Sequence, residues 1–301
     1  MPNETRPGAP IARPDVPQPL APAGRLPVSA FIICLNEAEY IANCLATLAL
    51  CGEIIIVDSG SRDGTLEIVE DYVDAGWPIR LIHHDWPGYA AQKQFALEQC
   101  TLDWCFNIDA DERLDRALRA ALPRLLAAPA EVVGWRVARR PYLIGYGYTP
   151  PYVRERKNLR LIRRGRGAYD LTQSVHEGIT PGGRVEDSRT GSLLHYRPLP
   201  IDEQILKENK YSTLKADQKI REGKRSSVLK LIVSPCMYFI RLYVFNRLVL
   251  CGWPGFVQAM TGAVYSFLTE SKLLQRETLL SHPSHDDLEG DLPERSVPER
   301  K

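Results

Sequence analysis

Between Val28 and about Leu126 the chain alternates short apolar runs with helix-patterned segments, and few folds accept that rhythm. Val28–Cys34 reads as a buried strand. Asn36, with Glu39 three residues on, reads as a capping pair for a helix that carries Ile41, Leu45 and Leu48 on one face. Glu53–Val57, Ile79–His83 and Asp103–Ile108 are further strands. Thr65–Ala75, Ala90–Cys100 and Leu114–Leu126 are further helices. The spacing predicts an α/β, Rossmann-like domain with a mainly parallel sheet flanked by helices on both faces. Ligands of such sheets bind beyond the carboxyl ends of the strands.

The remainder is organised differently. Eight of the 23 prolines fall in the first 27 residues, which lack the apolar core of a secretory signal and read as a disordered lead-in. Residues 127–200 look like shorter strands and loops, 201–275 are helical, and 276–301 form a polar, disordered-looking tail. A 44% apolar content over 301 residues excludes wholesale disorder. Seven scattered cysteines without a CxxC pair predict reduced thiols, and argue against a disulfide frame or a zinc site.

Two strand ends deliver acids where ligands are expected. Asp58-Ser59-Gly60-Ser61 follows the Ile54–Val57 run, and Asp109-Ala110-Asp111-Glu112 follows Trp104-Cys105-Phe106. Asp109 and Asp111 are two apart, so an extended backbone would point both carboxylates to one side. Paired hard oxygens suit Mg²⁺ or Mn²⁺, which bind through one or two carboxylates plus substrate phosphates. Leu35-Asn36-Glu37 closes a third strand, so the three segments form a constellation. Separately, each acid reads as a turn cap.

Together, Phe31–Glu37, Val57–Thr65 and Asp109–Glu112 resemble family 2 glycosyltransferases of GT-A fold. Pro87-Gly88-Tyr89-Ala90-Ala91-Gln92-Lys93 and Val175-His176-Glu177 resemble the branch that includes lipopolysaccharide-core β-glucosyltransferases. The resemblance implies inverting transfer of one sugar from a nucleotide-diphosphate donor, usually UDP-linked. It would place Leu35, Asn36 and Glu37 around the nucleotide and Asp58 by the uracil or ribose. Asp109 and Ala110 would lie by the ribose and metal, Asp111 on the metal, and Lys93 near the donor. Residues 28–126 would hold the donor and 127–200 the acceptor. The acceptor hydroxyl needs a general base on the face opposite the leaving phosphate. Glu177 is the candidate, with Glu186 and Asp187 in reserve, and His176 is a neighbour. No Gln-x-x-Arg-Trp stretch of the processive synthases is present, which argues for one sugar per encounter.

Two rival readings remain. A nucleotidyltransferase would want a Gly-rich, Lys/Arg-bearing loop where Leu35-Asn36-Glu37-Ala38-Glu39 stands. A degenerate sugar-nucleotide-binding scaffold would not need the intact acids.

Between Arg136 and Arg166 stand ten basic residues against Glu155 alone. A net charge of +1 and the lack of a recognised motif speak against nucleic acid, and an anionic glycolipid or oligosaccharide acceptor fits better. From Gly223 to Thr269 there is no acid, while Lys224, Arg225, Lys230, Arg241 and Arg247 sit among apolar residues. That composition predicts peripheral contact with the cytoplasmic face of the inner membrane. Packing as core helices is the alternative.

Overall fold

Why the first half folds as it does follows from Ile54, Ile55, Ile56 and Val57, all fully buried in consecutive positions. A strand apolar on both faces must be covered on both faces. The computed structural model describes residues 15–153, 157–171 and 178–281. In chain order it contains β1 (Leu26–Cys34), α1 (Ile41–Ala46), β2 (Cys51–Asp58), α2 (Thr65–Asp74), β3 (Ile79–His83), α3 (Tyr89–Glu98) and β4 (Trp104–Asn107). Strands β3, β2, β1 and β4 lie side by side in that order, all parallel. One face packs Ile32, Ile54 and Ile56 against Ile41 and Leu45 of α1 and Ile68 and Tyr72 of α2. The other packs Phe31, Ile55 and Val57 against Ala96 and Leu97 of α3.

Past β4 the sheet becomes mixed. Next come β5 (Glu112–Leu114), α4 (Arg116–Leu126), β6 (Val132–Leu143), β7 (Gly147–Tyr148), β8 (Lys157–Arg163), β9 (Gly167–Tyr169), β10 (Ile179–Pro181) and β11 (Arg184–His195). The order continues β4-β8-β6-β11-β5, with β8 antiparallel to both neighbours and only β6 and β11 parallel. The mainly parallel expectation therefore holds for the first half alone. The helix expected from Leu114 starts at Arg116. Leu114 pairs with Leu193 in β5, and Asp115 caps the helix by accepting from Leu118 N at 2.6 Å. Gly191, at φ 78° within the irregular stretch of β11, lets the strand touch α4: a Cβ there would lie 2.2 Å from Leu118 N.

Two compact units divide the chain, one of residues up to Leu199 with Asn246–Gly255, the other of Pro200–Phe245 with residues from Phe256 onward. The helices of the last third are α5 (Ile201–Arg221), α6 (Val228–Ile240), a wider turn over Arg241–Phe245, and α7 (Gly252–Ser281). Within the second unit Lys219 pairs with Glu270 at 2.5 Å, and Gln204 donates to Gln258 Oε1 and Thr261 Oγ1 at 3.1 Å. None of the α6 residues is buried, and Leu229 and Ile232 are 70% and 63% exposed. Val228–Phe245 and Leu248–Thr278 are long and apolar enough to cross a membrane by length and composition.

Candidate active site

The carboxyl ends of β1, β2 and β4 finish together, with Cys34 paired to Asp58 and Phe31 to Asn107 in register. This juxtaposes the loop after β1 and the turn after β2, and side chains lace them. Asn36 sits at φ 57°, a left-handed position that asparagine tolerates. Its N–H donates to Ser61 Oγ at 2.9 Å and its Oδ1 accepts from Arg62 N at 2.8 Å. Glu37 N donates to Thr65 Oγ1 and Ala38 N to Asp63 Oδ2. The capping-pair expectation is therefore corrected. Helix α1 starts at Ile41 behind Tyr40, and the Asn36 side chain is spent on the neighbouring turn. Ile41, Leu45 and Leu48 are all buried as expected, Leu48 just past the helix end.

Asp58 is 2% exposed and its carboxylate serves its own turn. It accepts from Gly60 N at 2.7 Å, Ser61 N at 2.9 Å and the Ser61 hydroxyl. Leu35 is exposed and Ala110 is packed in the core. Gln92, fully buried, ties the β3–α3 loop to the same region through Ser59 Oγ at 2.9 Å and the His84 carbonyl at 3.0 Å.

Asp109 and Asp111 do not share one extended side. Strand β4 ends at Asn107, and Glu112 N donates to the Asp109 carbonyl at 2.9 Å, closing a turn that sends the two carboxylates to different partners. Asp109 meets Lys93 Nζ at 3.0 Å and Arg160 at 3.1 Å. Burial works to raise its carboxyl, but the Lys93, Arg160 and Arg139 charges win and hold it well below the usual carboxylate range. Asp111, 8% exposed, accepts through Oδ2 from Arg197 Nη1 at 3.2 Å and lies 3.1 Å from His195 Nε2. Burial again opposes its charge, while the His195 hydrogen bond and the His195 and Arg197 charges lower it overall. Arg197 also grips both Glu37 oxygens at 3.1 Å. Burial outweighs that partner and pushes the Glu37 carboxyl up to about 7.

Behind this rim lies a buried charge network. Glu112 is fully buried and joins Arg160 at 2.6 Å and Arg139 at 2.9 Å, while Arg160 also donates to Asn107 Oδ1 at 2.8 Å. The basic block is thus largely consumed internally. Arg136 and Lys157 pair with Asp187, and Arg163 donates to the carbonyls of Ala128 and Val132. Arg163, Arg164 and Arg166 line a cavity of about 390 Å³ by Asp103, at the opposite end of β4 from the acids. Arg154, Arg156, Glu155, His176 and Glu177 lie outside the described residues. Glu186 pairs with Arg184 at 2.5 Å.

His195, Arg197, Glu112 and Arg160 were not singled out as site residues from sequence. Arg160 is legible in the sequence only as one of ten cations, and His195 and Arg197 only as part of the shorter strands and loops of 127–200. The sheet order carries the missing signal, because β11 pairs with β5 and so ends beside Asp111. Tyr196 N donates to the Asp111 carbonyl at 2.9 Å, which seals that alignment.

A divalent cation fits one part of this set. Asp109 has both oxygens on cationic side chains, which leaves it poorly placed as a ligand. Asp111 meets Arg197 and His195 through Oδ2 among the described residues, which leaves Oδ1 for a cation beside the His195 ring. Among the described residues no three His, Cys, Asp or Glu side chains close around an ion. A site of two protein ligands is open, as one completed by substrate phosphates must be.

Known proteins resemble this chain over most of its length. The family described as Glycosyl transferase family 2 matches residues 29–176. The lipopolysaccharide core biosynthesis glycosyltransferase LpsC of Rhizobium meliloti is 66% identical over 263 residues, covering 87% of this chain and 97% of that protein. An uncharacterized glycosyltransferase of Rickettsia felis is 29% identical over 271 residues, 84% of this chain and 90% of its own. Among solved structures, a mannosyltransferase of Pyrobaculum calidifontis is 18% identical, with 89% of this chain and 81% of that one covered at a TM-score of 0.48.

Proposed function

The chain belongs to glycosyl transferase family 2 and is a glycosyltransferase, and on that premise we propose that it moves one sugar, with inversion, from a nucleotide-diphosphate donor to a lipopolysaccharide-core or related lipid-linked acceptor. The observation that carries the donor side is the rim cluster of Asp111, His195, Arg197, Glu37, Lys93 and Asp109 at the carboxyl ends of the strands. The acceptor class is supported by the LpsC likeness. UDP is the proposed nucleotide.

Asp111 and His195 would hold Mg²⁺ or Mn²⁺, which when bound supplies positive charge to the leaving diphosphate. The chain's own groups do the rest. Arg197 and Lys93 add fixed positive charge beside the leaving group, where it is worth more than in water. Asp58, by holding the turn after β2, shapes the backbone of Asn36 and Glu37 that lines the nucleotide. Asp109 orients Lys93, and Ala110 keeps the turn between the two acids tight against the core. Glu177 takes the proton from the attacking acceptor hydroxyl, which then bonds to the anomeric carbon as the sugar–phosphate bond breaks. Replacing Glu177 with Gln should leave donor affinity intact and lower kcat by about 10²–10⁴-fold, as loss of a general base does. Radiolabelled transfer gives kcat, and a wild-type rate moves the base elsewhere.

A thermal-shift screen of UDP-, GDP-, CMP- and ADP-sugars with and without Mn²⁺ tests the donor reading. Saturation at about 100 times Kd should stabilise the folded chain by about 2.7 kcal/mol, or roughly 5 °C or more in Tm. Absence of any Mn²⁺-dependent shift would defeat it.

Residues 28–200 are read as the catalytic domain, and the helices of 201–275 as a membrane-facing segment. The exposed apolar side chains of α6, with Lys224, Arg225, Lys230 and Arg241 and no acid between Gly223 and Thr269, suit anionic lipid. In vesicle flotation the chain should co-float with phosphatidylglycerol vesicles and fall off in high salt. The double variant Leu229→Glu, Ile232→Glu should lose most of the bound fraction, and equal binding to neutral vesicles would remove the electrostatic part.

A further inference from the structure

Four tyrosines from separate segments meet beside Asp111. Tyr40 follows β1, Tyr142 lies near the end of β6, Tyr148 is in β7 and Tyr196 follows β11. Ring centroids are 4.9 Å apart for Tyr142–Tyr196, 5.4 Å for Tyr142–Tyr148, and 6.4 Å for both Tyr148–Tyr196 and Tyr40–Tyr196. No pair is stacked face to face, since interplanar angles run from 56° to 81°. All four residues are half-buried. The same fold shows what an aromatic pair built for the core looks like. Tyr72 and Trp77, 5.0 Å apart, are only 1% and 4% exposed.

Charge separates this cluster further from packing. Arg113 holds its guanidinium 5.2 Å over the Tyr196 ring and has no ion-pair partner among the described residues. By contrast Arg139, Arg160 and Arg197 are all paired with carboxylates. Arg197 lies 5.1 Å over Tyr40 while holding Asp111, so the tyrosines sit one residue from the reacting rim. A pyranose presents one face of C–H groups and an edge of hydroxyls. Ring faces bury the first, and phenol oxygens and guanidinium groups bind the second. A guanidinium with no carboxylate partner among the described residues adds the fork that phosphate or carboxylate prefers.

We propose that Tyr40, Tyr142, Tyr148 and Tyr196 form the stacking subsite for the acceptor sugar, with Arg113 receiving an anionic group carried on that saccharide. The subsite rests on the glycosyltransferase reading of the Asp111 rim and names the part of it that takes the acceptor.

The probe is core oligosaccharide released by mild acid from lipopolysaccharide of the source strain lacking this gene, with the donor found by the nucleotide-sugar screen. Acceptor KM and the ratio of transfer to donor hydrolysis are measured on the full chain. Tyr142→Leu and Tyr148→Leu should each raise acceptor KM about tenfold and lower that ratio, the worth of one aromatic contact. Tyr142→Phe and Tyr148→Phe, which keep the ring, should stay within about threefold of wild type. Arg113→Ala should raise acceptor KM as well. Dephosphorylating the probe should reproduce that rise if the anionic group is phosphate and leave the wild type unchanged if it is carboxylate. Folded Leu variants with wild-type acceptor KM would overturn the subsite while donor hydrolysis still upholds the donor reading. Phe variants as impaired as the Leu variants would overturn stacking too. If the wild type neither transfers nor hydrolyses any donor, the functional reading fails and the subsite with it.

Discussion

Asp111→Ala should abolish sugar transfer, by about 10³-fold or more, and in the same stroke remove the Mn²⁺-dependent part of nucleotide binding. Among the described rim carboxylates, Asp111 faces both an imidazole and a guanidinium. Its loss takes away a proposed metal ligand and frees Arg197, whose remaining ion-pair partner is Glu37. Nucleotide affinity is read by titration with and without Mn²⁺, alongside turnover in excess chelator. His195→Ala should weaken the Mn²⁺ dependence in the same direction. A wild type that turns over unchanged in chelator takes the metal out of the reaction and leaves Arg197 and Lys93 as the stabilising charges.

Arg160→Met is expected to be the most damaging substitution for stability. The Arg160 side chain is 7% exposed and bonds Glu112, Asp109 and Asn107 together, and Glu112 is fully buried. Burial lowers the guanidinium's hold on its proton, but the Glu112 and Asp109 charges reverse this and raise it. Removing one member of such a pair strands a buried charge, at a cost of about 3–5 kcal/mol. Glu112 would be left with Arg139 as its partner. Urea denaturation measures the loss. The double variant Arg160→Met, Glu112→Met should recover much of it, because no unpaired charge remains. A single variant within 1 kcal/mol of wild type, a fraction of the penalty expected for a stranded buried charge, would show that the network does not support the rim.

The first half of the sheet was legible because its information is local. Ile54–Val57 is apolar at every position, which only a strand covered on both faces explains, and its end fixes where Asp58 must lie. The resemblance puts Lys93 near the donor, and in the structure it stands 3.0 Å from Asp109. The errors arose where backbone direction changes within a few residues. The two-residue spacing of Asp109 and Asp111 argues for a shared side only in an extended chain, and the turn after Asn107 cancels it. The spacing of Asn36 and Glu39 predicts a helix cap, yet the left-handed backbone of Asn36 turns its side chain toward Arg62. The basic block illustrates the same limit, since ten neighbouring cations do not reveal that Arg160 faces inward and Arg113, outside the block, faces the tyrosines.

Periodicity and strand-end acids were enough to specify an α/β layer with acids at the carboxyl ends of its strands, because both depend on contacts within a few residues of chain. Pairing Asp111 with His195 and Arg197, 84 and 86 residues further on, and gathering four tyrosines beside them, required strands distant in the chain to align. The antiparallel and parallel registers of β11 against β5 and β6 made that alignment, through long-range hydrogen bonding that no local pattern encodes.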